Sequence, residues 1–435
     1  MMEKEVLMTG MGVVTPIGGT VEDFWNANLT GKSGLRQESR MDLSGLPCGW
    51  VGGWIPDDVK ESVLARYGNG QRSWGDAMLH ACVDQALTDA RFKGGLQRPA
   101  GLVWSRVWPG GSGSFPEHYA THMKKLAWRK KTFGNDLDAV IADLRATPLQ
   151  PDTLDASPFV TEVATKLGSP VISTRLEATC AGGLRAIAEA ARLLRTGKAD
   201  MAVVAVSVSR SNHYVVAQYA QLMALSRWKG APEFASTPFD RRRTGMVMNE
   251  SAGAVILETA EHARRRGMNE AYAVVHGAGI AVDTAHITAP SVEMVERVIR
   301  TALSESRMTP HDIDAINAHG TSTKLNDYTE ATAMHRVFGS HMSTIDVSAV
   351  KSLTGHGSAA SGVVEAVATA LTLCRGVVPP VVTCTEPDPE CNVRTSLVPV
   401  ERPVKAMIKN SFGFGGQYAS MVFTRPAHPR QQAGA

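Results

Sequence analysis

The stretch Ile172-Ser173-Thr174-Arg175-Leu176-Glu177-Ala178-Thr179-Cys180-Ala181-Gly182-Gly183 decides how the rest of the chain is read. Its β-branched first half predicts a strand. Leu184, Ile187, Ala188, Ala191 and Leu194 then recur at helical spacing. Cys180 is therefore expected on a sharp strand-to-helix turn, at the first residue of a helix. Unpaired N–H groups and partial positive charge at a helix start favour thiolate over thiol and can hold an oxyanion. The competing reading is an inert, buried cysteine acting as a small hydrophobe.

Outward from this stretch the same pattern repeats. Val6 to Val14, Ala100 to Trp104, Asp200 to Val208 and Ser251 to Leu257 read as buried strands, and Ala77 to Leu87 as an amphipathic helix. Ala273-Val274-Val275-His276-Gly277-Ala278-Gly279-Ile280 then echoes the opening strand. Val347 to Lys351, a small-residue turn and the helix Gly362 to Leu373 echo the surroundings of Cys180. Two strand-turn-helix halves predict a duplicated α/β unit with buried sheets. The expected division is 1–260, 261–425 and a frayed tail over 426–435.

Bulk properties exclude several classes. The chain has 435 residues, 43% hydrophobic and 20% charged, with a net charge of +3, which does not suggest nucleic-acid binding. No apolar run approaches the ~20 residues that cross a bilayer. Six cysteines without a CxxC pair argue for reduced thiols in the cytoplasm, not for disulfides or a zinc site.

Two further turns carry candidate chemistry. Asn317-Ala318-His319-Gly320-Thr321-Ser322-Thr323 and Lys351-Ser352-Leu353-Thr354-Gly355-His356-Gly357 each place a histidine after a strand at a glycine-rich turn. Strand-end turns of parallel sheets share one edge, where ligands bind. Either histidine alone reads first as a structural hydrogen-bonder. Asn410 to Gln417 is a glycine-rich turn with two aromatics and no phosphate-cradle pattern.

With these blocks in order, the chain resembles the type II, elongating β-ketoacyl-acyl-carrier-protein synthases of the thiolase superfamily. The resemblance spans roughly residues 4–425. It is carried by VLMTGMGVVTPIG (6–18), EATCAGG (177–183), TPFDRRRTGMVMNESAGAVILE (237–258), DTAHITAP (283–290), NAHGTST (317–323), LNDYTEA (325–331), VKSLTGHGSAASGVVEA (350–366) and NSFGFGGQ (410–417). It implies a thiolase-like fold, α/β with duplicated halves in an α-β-α-β-α arrangement. It implies that Cys180 takes an acyl chain as a thioester and that His319 and His356 are the catalytic histidines. Lys351 would accompany them, with Glu330 as its carboxylate partner. The N–H groups of Phe414 and Cys180 would form the oxyanion hole, with Phe412 in the same turn. Thr321 and Thr323 would line a phosphopantetheine tunnel, and Asp283 and His286 a second gating loop. Val107 and Trp108 would border the acyl pocket, where Arg106 and Trp108 would shorten or re-aim it.

The implied reaction is acyl transfer to Cys180, decarboxylation of malonyl-carrier protein, and condensation that lengthens the chain by two carbons. It needs no metal or redox cofactor, and it points to specialised polyketide, polyene or fatty-acid assembly. Implied partners are an acidic acyl carrier protein and a second copy or a chain-length factor, without nucleic acid or membrane. A basic carrier-docking entrance would draw on Arg66, Arg72, Arg227, Lys229 and Lys130 of the 124–131 run. The chain departs from the family at Thr244, Met246, Asn249, Ser251 and Gln417, and its second gating loop is short. A catalytically dead chain-length partner, a thiolase and a non-condensing acyltransferase are the alternatives. Cys180 counts against the first. The second is disfavoured by the two histidines and by the lack of a second catalytic cysteine.

Overall fold

The computed structural model describes residues 4–39, 46–69, 72–94, 96–107, 157–209 and 213–430. Ten strands make one mixed sheet. They are β1 (Val6–Val14), β2 (Ala100–Val107), β3 (Val171–Arg175), β4 (Met201–Val208), β5 (Ser251–Thr259), β6 (Ala273–Val282), β7 (Ala315–Asn317), β8 (Asp346–Ser348), β9 (Ala406–Gly413) and β10 (Gln417–Thr424). Their order in space is β3-β2-β4-β5-β1-β6-β10-β9-β7-β8. The order is the same twice over. β5 runs antiparallel to β1 and β4, while β4, β2 and β3 run parallel. β10 runs antiparallel to β6 and β9, while β9, β7 and β8 run parallel. Among the described strands, the short pairing of Val6, Leu7 and Met8 with Val275, Val274 and Ala273 joins the two halves of the sheet.

Continuous apolar runs explain why the central strands are buried on both faces. In β4, Ala202, Val204, Val206 and Val208 join one core, and Met201, Val203 and Ala205 join another. The first of these cores is the middle layer. It holds α2 (Gly182–Arg195) and α5 (Ser358–Arg375) between the two halves of the sheet. Outside lie α1 (Trp74–Asp89) against the first half and α3 (Val292–Glu305) with α4 (Lys324–Phe338) against the second. This gives the α-β-α-β-α layering.

Small residues set the contact between the two middle helices. A Cβ on Gly183 would stand 2.3 Å from Ala359 O, and one on Gly362 would stand 2.6 Å from Leu184 N. The helix starts therefore touch, and the turns that precede them are brought together.

Several expectations are corrected. The helix read as amphipathic over Ala77 to Leu87 is buried on most sides, His80 included. The sheet covers one face, and Phe159, Val163 and Leu167 of the helix Ser157–Leu167 cover another. The tail is not frayed up to residue 430. Ala271 N–H donates to His428 O, and Arg430 N–H to Ala271 O. Arg430 also pairs with Asp89 at 3.2 Å, a tertiary anchor that its local sequence does not announce. Among the described residues no helix is long and apolar enough to cross a membrane.

Candidate active site

Cys180 does not begin the helix. It lies in a 3₁₀ turn, Thr179–Ala181, just ahead of α2. Thr179 has φ 45, a left-handed conformation that costs a threonine on the order of 1–3 kcal/mol. The Thr179 hydroxyl donates to Phe414 O at 2.9 Å and holds the turn. Gly413 lets the two backbones approach, since a Cβ there would lie 2.2 Å from Thr179 Oγ1 and 2.9 Å from Cys180 N. The sulfur is buried yet faces a cavity. Burial pushes its thiol up to about 11. The Lys351 ammonium, the Ser358 hydroxyl and the Phe414 N–H pull the other way without overcoming desolvation. The expected thiolate preference is thus opposed by desolvation, because the sulfur sits buried in a short turn and not at a solvated helix start.

His319 follows β7 on a turn with Gly320 at φ 44 and Ser322 at φ 67. Glu330 of α4 fixes that turn, accepting the N–H groups of His319 (2.8 Å) and Gly320 (2.9 Å) and the Asn410 side-chain amide (3.0 Å). His356 follows β8 on the matching turn of the sheet. Its N–H donates to Val247 O at 2.6 Å, and its C=O accepts from Asn249 N–H at 3.0 Å. The Asn249 amide donates to Thr354 O (2.9 Å) and Gly355 O (3.2 Å), and Ser251 donates to Asn249 Oδ1 (3.0 Å). The unusual Asn249 and Ser251 thus form the clamp on the His356 turn.

The two imidazoles stand 5.4 Å apart between centroids, at 83°. Burial holds both well below the ordinary histidine range, helped by the ammonium groups of Lys351 and Lys409. Lys351 Nζ lies 3.4 Å from His319 Nδ1. An ammonium there makes Nδ1 the acceptor and leaves the proton on Nε2. Ser361 Oγ accepts Gly357 N–H at 2.9 Å and stands 3.2 Å from His356 Nδ1. A Ser361 hydroxyl donated to that nitrogen would place the His356 proton on Nε2 as well.

The carboxylate partner of Lys351 is Glu365, at 2.6 Å, and not Glu330. Glu330 is instead occupied by the His319 turn, while Glu365 projects from α5 directly beside Lys351. Lys351 also donates to His319 O at 2.7 Å. Lys409, on β9, stands 2.8 Å from the other Glu365 oxygen and donates to Asn410 O. The sequence reading overlooked both Glu365 and Lys409. The signal was present: each is a lone charge in a segment otherwise fit for a core, SGVVEAVATAL and AMIKNSF.

A cavity of about 500 Å³ receives Cys180, His319, His356, Thr321, Thr323, Phe412 and Phe414 together. The Thr321 and Thr323 hydroxyls lie 3.0 Å apart. Phe412 packs edge-on to His319 at 5.4 Å, and Phe414 stacks on Tyr219 at 5.9 Å. His286 lines the cavity, and its Nδ1 accepts the Ala289 N–H at 2.9 Å. Asp283 stays out of it, accepting Ala285 N–H at 2.9 Å within its own loop.

Of the basic candidates, Arg227 lines the cavity. Lys229 sits over Trp50 at 5.5 Å, Arg66 over Tyr67 at 5.4 Å, and Arg72 pairs with Glu162 at 2.7 Å, and none of the three lines the cavity. Lys324 lines it and was missed. Arg106 is buried and ion-paired with Asp76, outside the cavity lining. Val107 closes β2. The expectations for Trp108 and Lys130 lie outside the described residues.

Family models match twice along the chain. "Beta-ketoacyl synthase, N-terminal domain" covers residues 78–263 and "Beta-ketoacyl synthase, C-terminal domain" covers 272–385. A 3-oxoacyl-[acyl-carrier-protein] synthase 2 from Synechocystis is 32% identical, over 97% of this chain and 98% of that protein. The oxytetracycline polyketide putative beta-ketoacyl synthase 1 of Streptomyces rimosus is 31% identical, over 98% of each. Among solved structures, the ishigamide ketosynthase/chain length factor superposes with TM-score 0.81 and 27% identity, covering 98% of this chain and 100% of that one.

Proposed function

We propose, from the premise that the chain belongs to the β-ketoacyl synthase family, that it is a decarboxylating condensing enzyme that works on carrier-bound acyl groups. The single observation that carries this reading is one sulfur and two imidazoles facing one cavity. The Cys180 sulfur attacks the carrier-bound acyl thioester, and the exchange of one thioester for another is nearly balanced in energy. Oxyanion charge meets the Phe414 N–H and the Cys180 N–H, a type of contact worth about 3 kcal/mol per donor. The C–S bond to the carrier breaks as the new thioester forms, and the thiol proton ends on the departing phosphopantetheine sulfur, which lets a high resting thiol pKa coexist with nucleophilic use.

Malonyl-carrier protein then loses carbon dioxide. The electron pair of the broken C–C bond passes into an enolate whose charge rests on the thioester oxygen. The Nε2–H groups of His319 and His356 are the available donors for that oxygen. The enolate carbon attacks the Cys180 thioester, and the sulfur departs. In this reading the enzyme is an acyltransferase that needs no group beyond the carrier's phosphopantetheine, which the Thr321 and Thr323 hydroxyls bind.

Its partners are an acyl carrier protein and a second ketosynthase-like chain. The solved relatives include an acyl-carrier protein in complex with its ketosynthase, and a ketosynthase/chain length factor. Supplying acyl- and malonyl-carrier protein tests the reading. The expected outcome is carbon dioxide and a carrier-bound chain two carbons longer. Acylation of Cys180 with neither product would reject condensation and leave an acyltransferase.

A further inference from the structure

Lys409 is fully buried, and nothing in the reaction above uses it. It stands at the end of a row of charge reaching the imidazoles from four elements. Lys351 follows β8, Glu365 projects from α5, Lys409 from β9 and Glu330 from α4. The Cys180 turn supplies the remaining titratable group. Behind Glu330, Asp327 is satisfied by Arg243 at 3.8 Å and by Phe239 N–H at 3.0 Å. The row thus holds two ammonium groups and two carboxylates. Glu365 is shared, with one oxygen 2.6 Å from Lys351 and the other 2.8 Å from Lys409. Without Lys409, two carboxylates would face a single ammonium, and the surplus negative charge would lie beside both imidazoles.

We propose that Lys409 is a positioning residue that balances the second carboxylate of the site and thereby, together with burial, extends into the acid range the conditions under which His319 and His356 stay neutral during decarboxylation. The consequence for the chemistry is direct. An imidazolium beside the malonyl group would hold its carboxylate in place as an ion pair and stabilise the very group that must leave. A neutral Nε2–H donates to the enolate oxygen without that attraction. Burial lowers Lys409 itself to about 8, which fits an ammonium kept charged at neutral pH chiefly by Glu365. The proposal rests on the two histidines being the enolate donors.

The test is histidine-selective NMR of the full-length protein labelled with ¹³C at histidine Cε1. The two resonances are assigned from H319N and H356N. In the wild-type protein both rings stay neutral well below the ordinary imidazole range. In K409M their titration midpoints rise by about one pH unit. In K409M/E365Q, where one ammonium again faces one carboxylate, the midpoints return to the wild-type position. K409R behaves as wild type. K409Q gives the same reading as K409M and keeps a donor for Asn410 O if the methionine variant does not fold.

The acid limb of malonyl-carrier decarboxylation moves with the midpoints. A K409M titration superimposed on wild type overturns the proposal, and so does a double variant that stays where K409M lies. A purely packing role for Lys409 predicts that second result. Histidine midpoints that move and return as stated, in a wild-type protein that releases no carbon dioxide, sustain the charge balance and overturn the condensing reading instead.

Discussion

The two halves of the molecule place the same piece of structure in the same place and fill it differently. In the first half, β3 leads into a turn and α2; in the second, β8 leads into a turn and α5. Both strands lie at the outer edge of their half, and both helices lie in the middle layer. The first turn carries one buried sulfur, with its thiol pushed up by desolvation. The second carries His356 and Lys351 and is backed by Glu365 and Lys409. The topology thus decides where reactive groups meet, and buried charge decides their protonation.

The sharpest way to break this comparison is to delete one group from each half. Cys180→Ala is expected to lower acyl transfer by on the order of 10⁴-fold while leaving the fold intact, measured by mass spectrometry of the covalent adduct. His319→Ala is expected to leave acylation of Cys180 near wild type and to slow carbon dioxide release by about 10²- to 10³-fold. Equal loss of both steps in His319→Ala would erase the division between the halves.

A smaller effect probes the contact that joins them. Gly183→Val sets a Cβ 2.3 Å from Ala359 O and is expected to cost about 3 kcal/mol in urea unfolding. Unchanged stability would mean that the helix starts are not held as described. The mildest probe is pH. Alkylation of Cys180 by iodoacetamide is expected to accelerate about tenfold per pH unit through neutrality and to level off near about 11, where the thiol ionises. Lys351→Met removes an attracting charge and moves that plateau to still higher pH. A plateau near neutrality would show instead that the turn, and not burial, governs the sulfur.

Much of the site was legible because it sits in short glycine-rich turns at strand ends. Such turns carry their own punctuation, so Cys180, His319 and His356 stood out, while Lys351, Thr321 and Thr323 followed from the family resemblance. The charge network was less legible for a physical reason. Glu365 and Lys409 are separated along the chain by another strand pair and loop, and their pairing exists only after α5 packs beneath β9. Glu330 was assigned to Lys351 through the family resemblance, whereas the fold hands it to backbone N–H groups of the His319 turn. The outlying arginines were misleading for a similar reason. Arg72 and Arg66 look free in sequence, yet one is held by Glu162 and the other lies over Tyr67, and neither lines the cavity.

By itself, the sequence determined the strand and helix pattern, its repetition, and which residues had the chemistry to react. Those properties are local, since hydrophobic period and turn residues are written within a few positions. Tertiary structure alone decided that the sulfur would rest protonated, that the imidazoles would rest neutral, and which carboxylate would meet which lysine. Those outcomes depend on desolvation and on charges a few ångströms away in space, and such distances arise only when the two halves close on their shared helices.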